Sequence, residues 1–176
     1  REGVESFTNA LASAQRQDVR SIVYMNQRLW GMTTASWKAE GAEAFAVKNA
    51  NGQVRPEIYN TFTQEACASM CMDTLFWRNK YAGLAETAVG QLGVDGIYMD
   101  QACSSLACFD SAHGHPIGGG AYWMQGFQKL AADIRARCEG NDMVLAGEGV
   151  GESWLPHLDL MLSLQVSRER SAAPDG

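Results

Sequence analysis

Three short apolar runs, each closing on a polar or acidic side chain, constrain this chain more than any other feature of its sequence. They are Arg20-Ser21-Ile22-Val23-Tyr24-Met25-Asn26, Gly93-Val94-Asp95-Gly96-Ile97-Tyr98-Met99-Asp100, and Met143-Val144-Leu145-Ala146-Gly147 followed by Glu148. Each is too short for a buried helix and nearly continuous in apolar content, as a strand covered on both faces of a parallel sheet should be. Leu158 to Gln165 reads as one more strand or a strand-helix junction, after a short turn at Ser153 to His157.

Helical periodicity fills the intervals. Val4, Phe7, Leu11 and Ala14 recur at three- and four-residue steps, predicting an amphipathic helix from about Glu2 to Gln17. Thr61 with Gln64 has the spacing of a capping box, predicting a helix whose Met70, Thr74, Trp77, Tyr81, Leu84 and Ala88 share one face and which ends near Gly90 or Gly93. A third helix runs from Tyr122 to Cys138, with Met124, Phe127, Leu130, Ile134 and Cys138 on one side and Gly140 to terminate it.

Strands alternating with crossover helices specify a parallel sheet with right-handed connections. About four strands are legible, whereas a full eightfold barrel takes roughly 250 residues. The expected fold class is therefore α/β: a partial (β/α)8 TIM barrel, about strands three to six, with loop insertions at the C-terminal face; a smaller doubly wound sheet is the alternative. Residues 1–165 would form the barrel portion and 166–176 a tail. Residues 31–62 exceed an ordinary βα loop and are expected to hold a hairpin, Phe45 to Lys48 against Val54 to Tyr59 around Asn51-Gly52, and 101–120 form a second, His- and Gly-rich insertion.

Charge and composition narrow the partners. The net charge of −6 is spread without a basic block, which argues against nucleic acid, and no apolar run is long enough for a membrane span. The N-terminus lacks the basic and apolar regions of a secretory signal, yet compartment stays open: secreted and periplasmic locations are both compatible. Gly118-Gly119-Gly120 has neither the Walker lysine nor the dinucleotide spacing. The five cysteines contain no CxxC pair, giving a zinc knuckle little support. Cys67 and Cys71 read as packing residues on one helix face, and Cys103 with Cys108 as an alternative loop bridge.

In parallel α/β folds the reactive groups stand at the carboxyl ends of strands. Asp100 and Glu148 both do so, on successive strands, and neighbouring strands lie about 4.8 Å apart, which allows the roughly 5 Å carboxyl separation of a retaining glycosidase. Taken singly, Asp100 would cap a turn and Glu148 would join a salt bridge; the matched pair favours chemistry. Glu152 competes for the acid's place or assists in substrate binding. Asn26, Gln101, His113 and His115 offer donors and acceptors to sugar hydroxyls. Among Trp30, Trp37, Tyr98, Trp123 and Trp154, Trp30 is favoured as the flat face for a sugar ring because it follows a strand end. No cofactor and no metal is required. Two other readings stand beside this one: a carbohydrate-binding barrel without catalysis, and a metal-dependent hydrolase using His113, His115 and Asp100.

The segments Gly93 to Gln101 and Leu145-Ala146-Gly147-Glu148-Gly149 resemble bacterial barrel proteins grouped with glycoside hydrolases, a poorly characterised carbohydrate-active family distantly similar to endo-α-N-acetylgalactosaminidases and to α-amylase-type barrels. The resemblance covers most of residues 1–165. It implies hydrolysis of O-glycosidic bonds, α-linked, in an oligosaccharide or glycoconjugate, with Asp100 ending the fourth strand as nucleophile and Glu148 ending the fifth as acid/base. It also implies that the remaining strands lie elsewhere in a longer parent chain. Relatives often use a further acid on the sixth or seventh strand; here Asp159 is a weak candidate for that place.

Overall fold

The computed structural model describes residues 3–162. In chain order it contains α1 (Gly3–Gln15), β1 (Ile22–Asn26), β2 (Leu29–Gly31), α2 (Ala35–Ala39), β3 (Glu57–Ile58), β4 (Ala66–Ser69), α3 (Leu75–Glu86), β5 (Gly96–Asp100), α4 (Tyr122–Arg137), β6 (Val144–Glu148) and β7 (Leu160–Leu162). These residues fall into two compact units. Gln27–Glu86 with Ser105–Glu139 make the second unit, and the described residues outside those segments make the first. The expected tail at 166–176 lies outside the described residues.

The first unit is built on a sheet of order β1-β5-β6-β7 in which each neighbouring pair is parallel. The apolar runs read from the sequence supply its strands. Alternation divides their side chains: Ile97, Met99 and Leu145 are fully buried on one face, while Tyr24, Asn26, Tyr98, Asp100 and Glu148 share the other. Burial on both faces holds only towards the centre, since Ile22, Tyr24 and all three residues of β7 are exposed. They lie on the two edge strands, which have a neighbour on one side only. The amphipathic face expected of α1 forms, but Leu11 alone is buried on it, and Val4 and Phe7 are exposed.

Register is set at the amino ends by two aspartates. Asp95 accepts from the Ser21 N–H at 2.8 Å while its own N–H donates to the Ser21 carbonyl at 2.9 Å. Asp159 repeats the device on Leu145, accepting its N–H at 2.8 Å and donating back at 2.8 Å. Each aspartate thereby locks its own segment against the neighbouring one before the strand pairing begins.

The second unit pairs α3 with α4 and carries an antiparallel sheet of order β2-β4-β3. Gly126 permits a close approach of α4, because a Cβ there would stand 2.5 Å from the Met72 carbonyl oxygen. The hairpin expected around Asn51-Gly52 is present as a single antiparallel bridge, Lys48 to Val54, its turn held by Asn49 Oδ1, which accepts from Asn51 and Gln53. The helix expected to open at Thr61 does not. Asn60 Oδ1 accepts from Phe62 and Thr63 to hold a turn, β4 follows, and α3 begins only after Thr74, whose hydroxyl accepts from the Trp77 N–H. Cys67 and Cys71 consequently lie in and just after a strand, not on a helix face. All five cysteines are free, which removes the Cys103–Cys108 bridge.

One ion pair ties this smaller sheet together. Arg28, buried, forks onto both oxygens of Glu57 at 2.8 and 2.9 Å, and Ser69 and Tyr59 also donate to that carboxylate. Burial opposes ionisation of Glu57, but the hydrogen bonds from Ser69, Tyr59 and Arg28 and the Arg28 charge outweigh it, so its pKa is lowered. A carboxyl lowered on folding stabilises the native state above its unfolded pKa, about 4.3, and that stabilisation disappears as pH falls through the folded value. The difference in unfolding free energy between the wild-type chain and Glu57→Gln, measured in urea, is expected to stay level from neutrality to about pH 5 and to shrink below about pH 4. A difference unchanged through that acid range would refute the assignment.

Candidate active site

Two acids meet at the carboxyl end of the parallel sheet. Asn26 pairs in register with Asp100, and Met99 with Gly147, so the next residues along β5 and β6, Asp100 and Glu148, stand side by side on the same face. Neighbouring strands are spaced by about 4.8 Å. Each acid is held by a tyrosine two residues before the end of a strand. Tyr24 Oη donates to Asp100 Oδ2 at 2.6 Å, Asn26 Nδ2 donates to the same oxygen at 2.8 Å, and Tyr98 Oη donates to Glu148 Oε2. Oδ1 of Asp100 accepts neither of its two bonds.

The phenols report the local charge. Burial, the bond to Glu148 and the charges of Glu148 and Asp100 push Tyr98 well above the usual phenol range. Burial and the bond to Asp100, with smaller contributions from both acids' charges, push Tyr24 the same way despite the opposing Asn26 bond. Both tyrosines thus remain donors at neutral pH, and both feel both carboxylates, which places the acids in one electrostatic field. Cys103, pushed up to about 12 by burial and then by Glu148, is a protonated and unreactive thiol beside this pair.

Both strand ends turn on a left-handed residue. Gln101, directly after Asp100, has φ of 60°, and Gly149, directly after Glu148, has φ of 65°. Such a conformation costs a residue with a Cβ about 1–2 kcal/mol. Glycine avoids that cost on one strand, whereas on the other a strained glutamine bears it, a form of strain that clusters at functional sites.

The family described as a domain of unknown function, DUF6259, matches residues 1–176. The chain belongs to this family. Among curated proteins it is similar to one of Bacteroides thetaiotaomicron named "Putative glycoside hydrolase", 27% identical over 141 residues, which are 79% of this chain and 21% of that protein. It is also similar to "Putative glycoside hydrolase 22789" of Monosiga brevicollis, 22% identical over 169 residues, 92% of this chain and 14% of that protein. The chain therefore spans about a fifth of the first relative and about a seventh of the second. Among solved structures it is similar to the ligand-free α-N-acetylgalactosaminidase NagBb of Bifidobacterium bifidum, with TM-score 0.73 at 12% identity, covering 99% of this chain and 27% of that one. The α-galactosidase TtGalA of Thermus thermophilus with stachyose superposes with TM-score 0.63 at 12% identity, over 88% of this chain and 30% of that one. These likenesses show the fold: a parallel α/β sheet of the kind found in glycoside hydrolase barrels.

The other residues singled out in this DUF6259 sequence are distributed unevenly. Asn26 and Gln101 belong to the carboxylate site, the first bonded to Asp100 and the second next to it in the chain. Glu152 is exposed at the start of a 3-10 turn, Glu152–His157, beyond the strand end. Asp159 is occupied by the Leu145 main chain near the amino end of β6, a bracing role rather than that of a third acid. Trp30, expected as a sugar platform, is instead buried among Trp37, Phe76 and Trp77 in the second unit, with centroids 6.2, 6.1 and 5.8 Å away. Short strands followed by aromatic-rich helices make core of such a ring. His113 and His115 also belong to the second unit, where one ligand atom of each gathers with those of Cys71 and Cys108. Tyr24 is the site residue that sequence reasoning missed. Its signal was the repeat Tyr24-x-Asn26 and Tyr98-x-Asp100, two polar-tipped residues at a period of two on adjoining strands.

The left-handed turns make a direct test. A Cβ at Gly149 would meet nothing within 4 Å, so Gly149→Ala is expected to cost about 1–2 kcal/mol through the backbone alone. Gln101→Gly is expected to be neutral or stabilising by up to about 1 kcal/mol. Urea midpoints at constant m-value measure both. An unaffected Gly149→Ala would show that β6 does not end on a left-handed residue.

Proposed function

We propose that this chain supplies the catalytic centre of a retaining hydrolase acting on α-linked O-glycosides of oligosaccharides or glycoconjugates. The observation that carries the reading is the Asp100–Glu148 pair, side by side on one face at adjoining strand ends and each held by a tyrosine. Adjoining strands suit the roughly 5 Å separation of direct displacement better than the wider gap that admits a water between the acids.

In this mechanism Asp100 attacks the anomeric carbon through Oδ1 while Glu148 gives a proton to the leaving oxygen. Tyr24 and Asn26 hold Oδ2, which fixes the carboxylate plane and leaves the attacking oxygen oriented. Tyr98 donates to Oε2 of Glu148 throughout, so the catalytic proton is carried on Oε1 and is free to move to the leaving oxygen. Glu148 then takes a proton from water, which attacks the glycosyl-Asp100 ester and releases the sugar with its configuration kept. Asn26 and Gln101 serve as hydrogen-bonding partners of the sugar, with Glu152 at the rim.

We assign β1, β5, β6 and β7 to the third to sixth strands of a (β/α)8 barrel whose other strands lie in a longer chain. Supporting this, Ile22, Tyr24, Tyr98, Ala146 and Leu160–Leu162 line an apolar cleft of about 530 Å³ on the same face as the acids. Exposed apolar surface of this kind is what further barrel strands would cover. The likeness to glycoside hydrolase barrels supports the same assignment.

In the full-length protein, hydrolysis of a panel of aryl α-glycosides is expected to fall on the order of 10²–10⁴-fold in Glu148→Ala for leaving groups that need protonation. Asp100→Ala is expected to abolish turnover, with azide restoring it and giving a product of inverted configuration. Wild-type-like turnover in Asp100→Ala would reject the nucleophile assignment. Sugar binding without turnover by the wild-type protein would favour a carbohydrate-binding role.

A further inference from the structure

The second unit contains a four-residue cluster that the carboxylate chemistry does not use. Cys71 follows β4, with its N–H bonded to the Phe45 carbonyl at 2.9 Å, and Cys108 exchanges main-chain hydrogen bonds with Gly118 at 2.8 and 2.7 Å. His113 closes a 3-10 turn, Ser111–His113, and His115 follows two residues later. Cys71 and Cys108 are fully buried, His115 nearly so, and the His113 side chain is 2% exposed. One ligand atom from each of the four lies within 4.8 Å of the other three.

The shortest separations are close to the edges of a single tetrahedral ion. Cys71 Sγ stands 3.2 Å from His115 Nε2, and Cys108 Sγ stands 3.4 Å from His113 Nδ1. Zinc–sulfur and zinc–nitrogen bonds of about 2.3 and 2.0–2.1 Å imply tetrahedral edges of about 3.3–3.8 Å. A two-iron cluster would segregate thiolates and imidazoles onto different irons, whereas here each sulfur sits against a nitrogen.

The outer nitrogens decide which way the rings are presented. His113 Nε2 meets the Ala44 carbonyl at 2.9 Å, with Asp110 Oδ2 at 3.5 Å, and His115 Nδ1 meets the Pro116 carbonyl at 2.8 Å. A carbonyl accepts and never donates, so in each neutral ring the proton sits on the outer nitrogen and the lone pair faces the sulfurs. Carbonyls bonded to the outer ring nitrogens in this way orient metal-bound histidines. His115 is further fixed by stacking on Tyr122, centroids 3.9 Å apart. Packing alone would require neither both lone pairs nor both thiols to converge on one point.

We propose that Cys71, Cys108, His113 and His115 bind one zinc ion in a closed structural site that ties the 105–121 loop to the end of β4. All four tetrahedral positions are filled by protein, so the ion has no open position for substrate or water and takes no part in hydrolysis. Two thiols with two imidazoles in this geometry select zinc over the hard cations, which prefer oxygen ligands. The ion would hold a loop whose regular structure is otherwise one 3-10 turn and one isolated bridge.

The test is metal analysis of the intact protein, purified under reducing conditions without chelator. One zinc per chain is expected, with an X-ray absorption shell of two sulfurs and two nitrogens. Cobalt substitution should give the visible bands of a tetrahedral thiolate site together with a thiolate charge-transfer band. Cys71→Ser and Cys108→Ser should lose the metal, His115→Cys should keep it by offering a third thiolate, and Cys67→Ser, outside the cluster, should be unchanged. Because the two serine variants can fail to fold, the wild-type chain also carries a test: zinc should protect two thiols from alkylation, and a strong chelator should expose them and lower Tm. Wild-type protein that retains no stoichiometric zinc, shows no cobalt-thiolate bands and alkylates equally with and without zinc would overturn the site.

Discussion

The parallel register between β5 and β6 is the constraint on which the carboxylate site depends. Side chains alternate across a strand, so a slip of one residue would send Glu148 to the opposite face and leave Asp100 without its neighbour. The pairing of Met99 with Gly147 prevents this, while Asp95 and Asp159 fasten the two flanking pairings, β1 with β5 and β6 with β7, at the opposite end of the sheet. Acids at the amino ends accept main-chain N–H groups and act as fasteners. Acids at the carboxyl ends accept only side-chain donors in the bonds described, which orient them without taking both oxygens. Position along the strand therefore separates carboxylates engaged by the main chain from carboxylates oriented by side chains, in a chain where all four follow or precede apolar runs.

The large-scale architecture was legible because long-range pairing of buried strands demands continuous apolar segments, and Ile22–Asn26, Gly96–Asp100 and Val144–Glu148 are such segments. The smaller sheet was not. Ala66-Cys67-Ala68-Ser69 has no alternation of large and small and favours helix by local propensity, so its strand character comes from partners on β2 and β3 that propensity does not register. The same misreading moved the helix start from Thr74 to Thr61, since Gln64 satisfied the capping spacing while Asn60 supplied the actual turn.

At the site, the acid pair was visible because both residues end strands, whereas Tyr24 was hidden by its ordinary role as a strand residue. Trp30 was misjudged for the converse reason. A tryptophan after a strand end is as suited to a platform as to a core, and the aromatic residues that bury it, Phe76 and Trp77, lie on a helix far along the chain. The His113-Gly114-His115 pair was noticed, but its partners were sought among acids. Cys71 is separated from the other three by a long stretch of sequence, and only the fold brings it to them.

The two clusters illustrate how burial assigns different work to groups that each carry a lone pair. Asp100 and Glu148 are half-buried and held by phenols whose protons stay in place at neutral pH. Such groups keep a lone pair available to a ligand. The sulfurs and imidazoles of the second unit are enclosed and aimed at one another, with their outer atoms bonded to main-chain carbonyls. Exchanging the two environments would defeat both: a buried pair of carboxylates would carry an uncompensated charge, and an exposed Cys-His group would be open to solvent exchange and oxidation. The separation of hard oxygen chemistry from soft sulfur chemistry is thus a consequence of where each unit leaves its side chains relative to water.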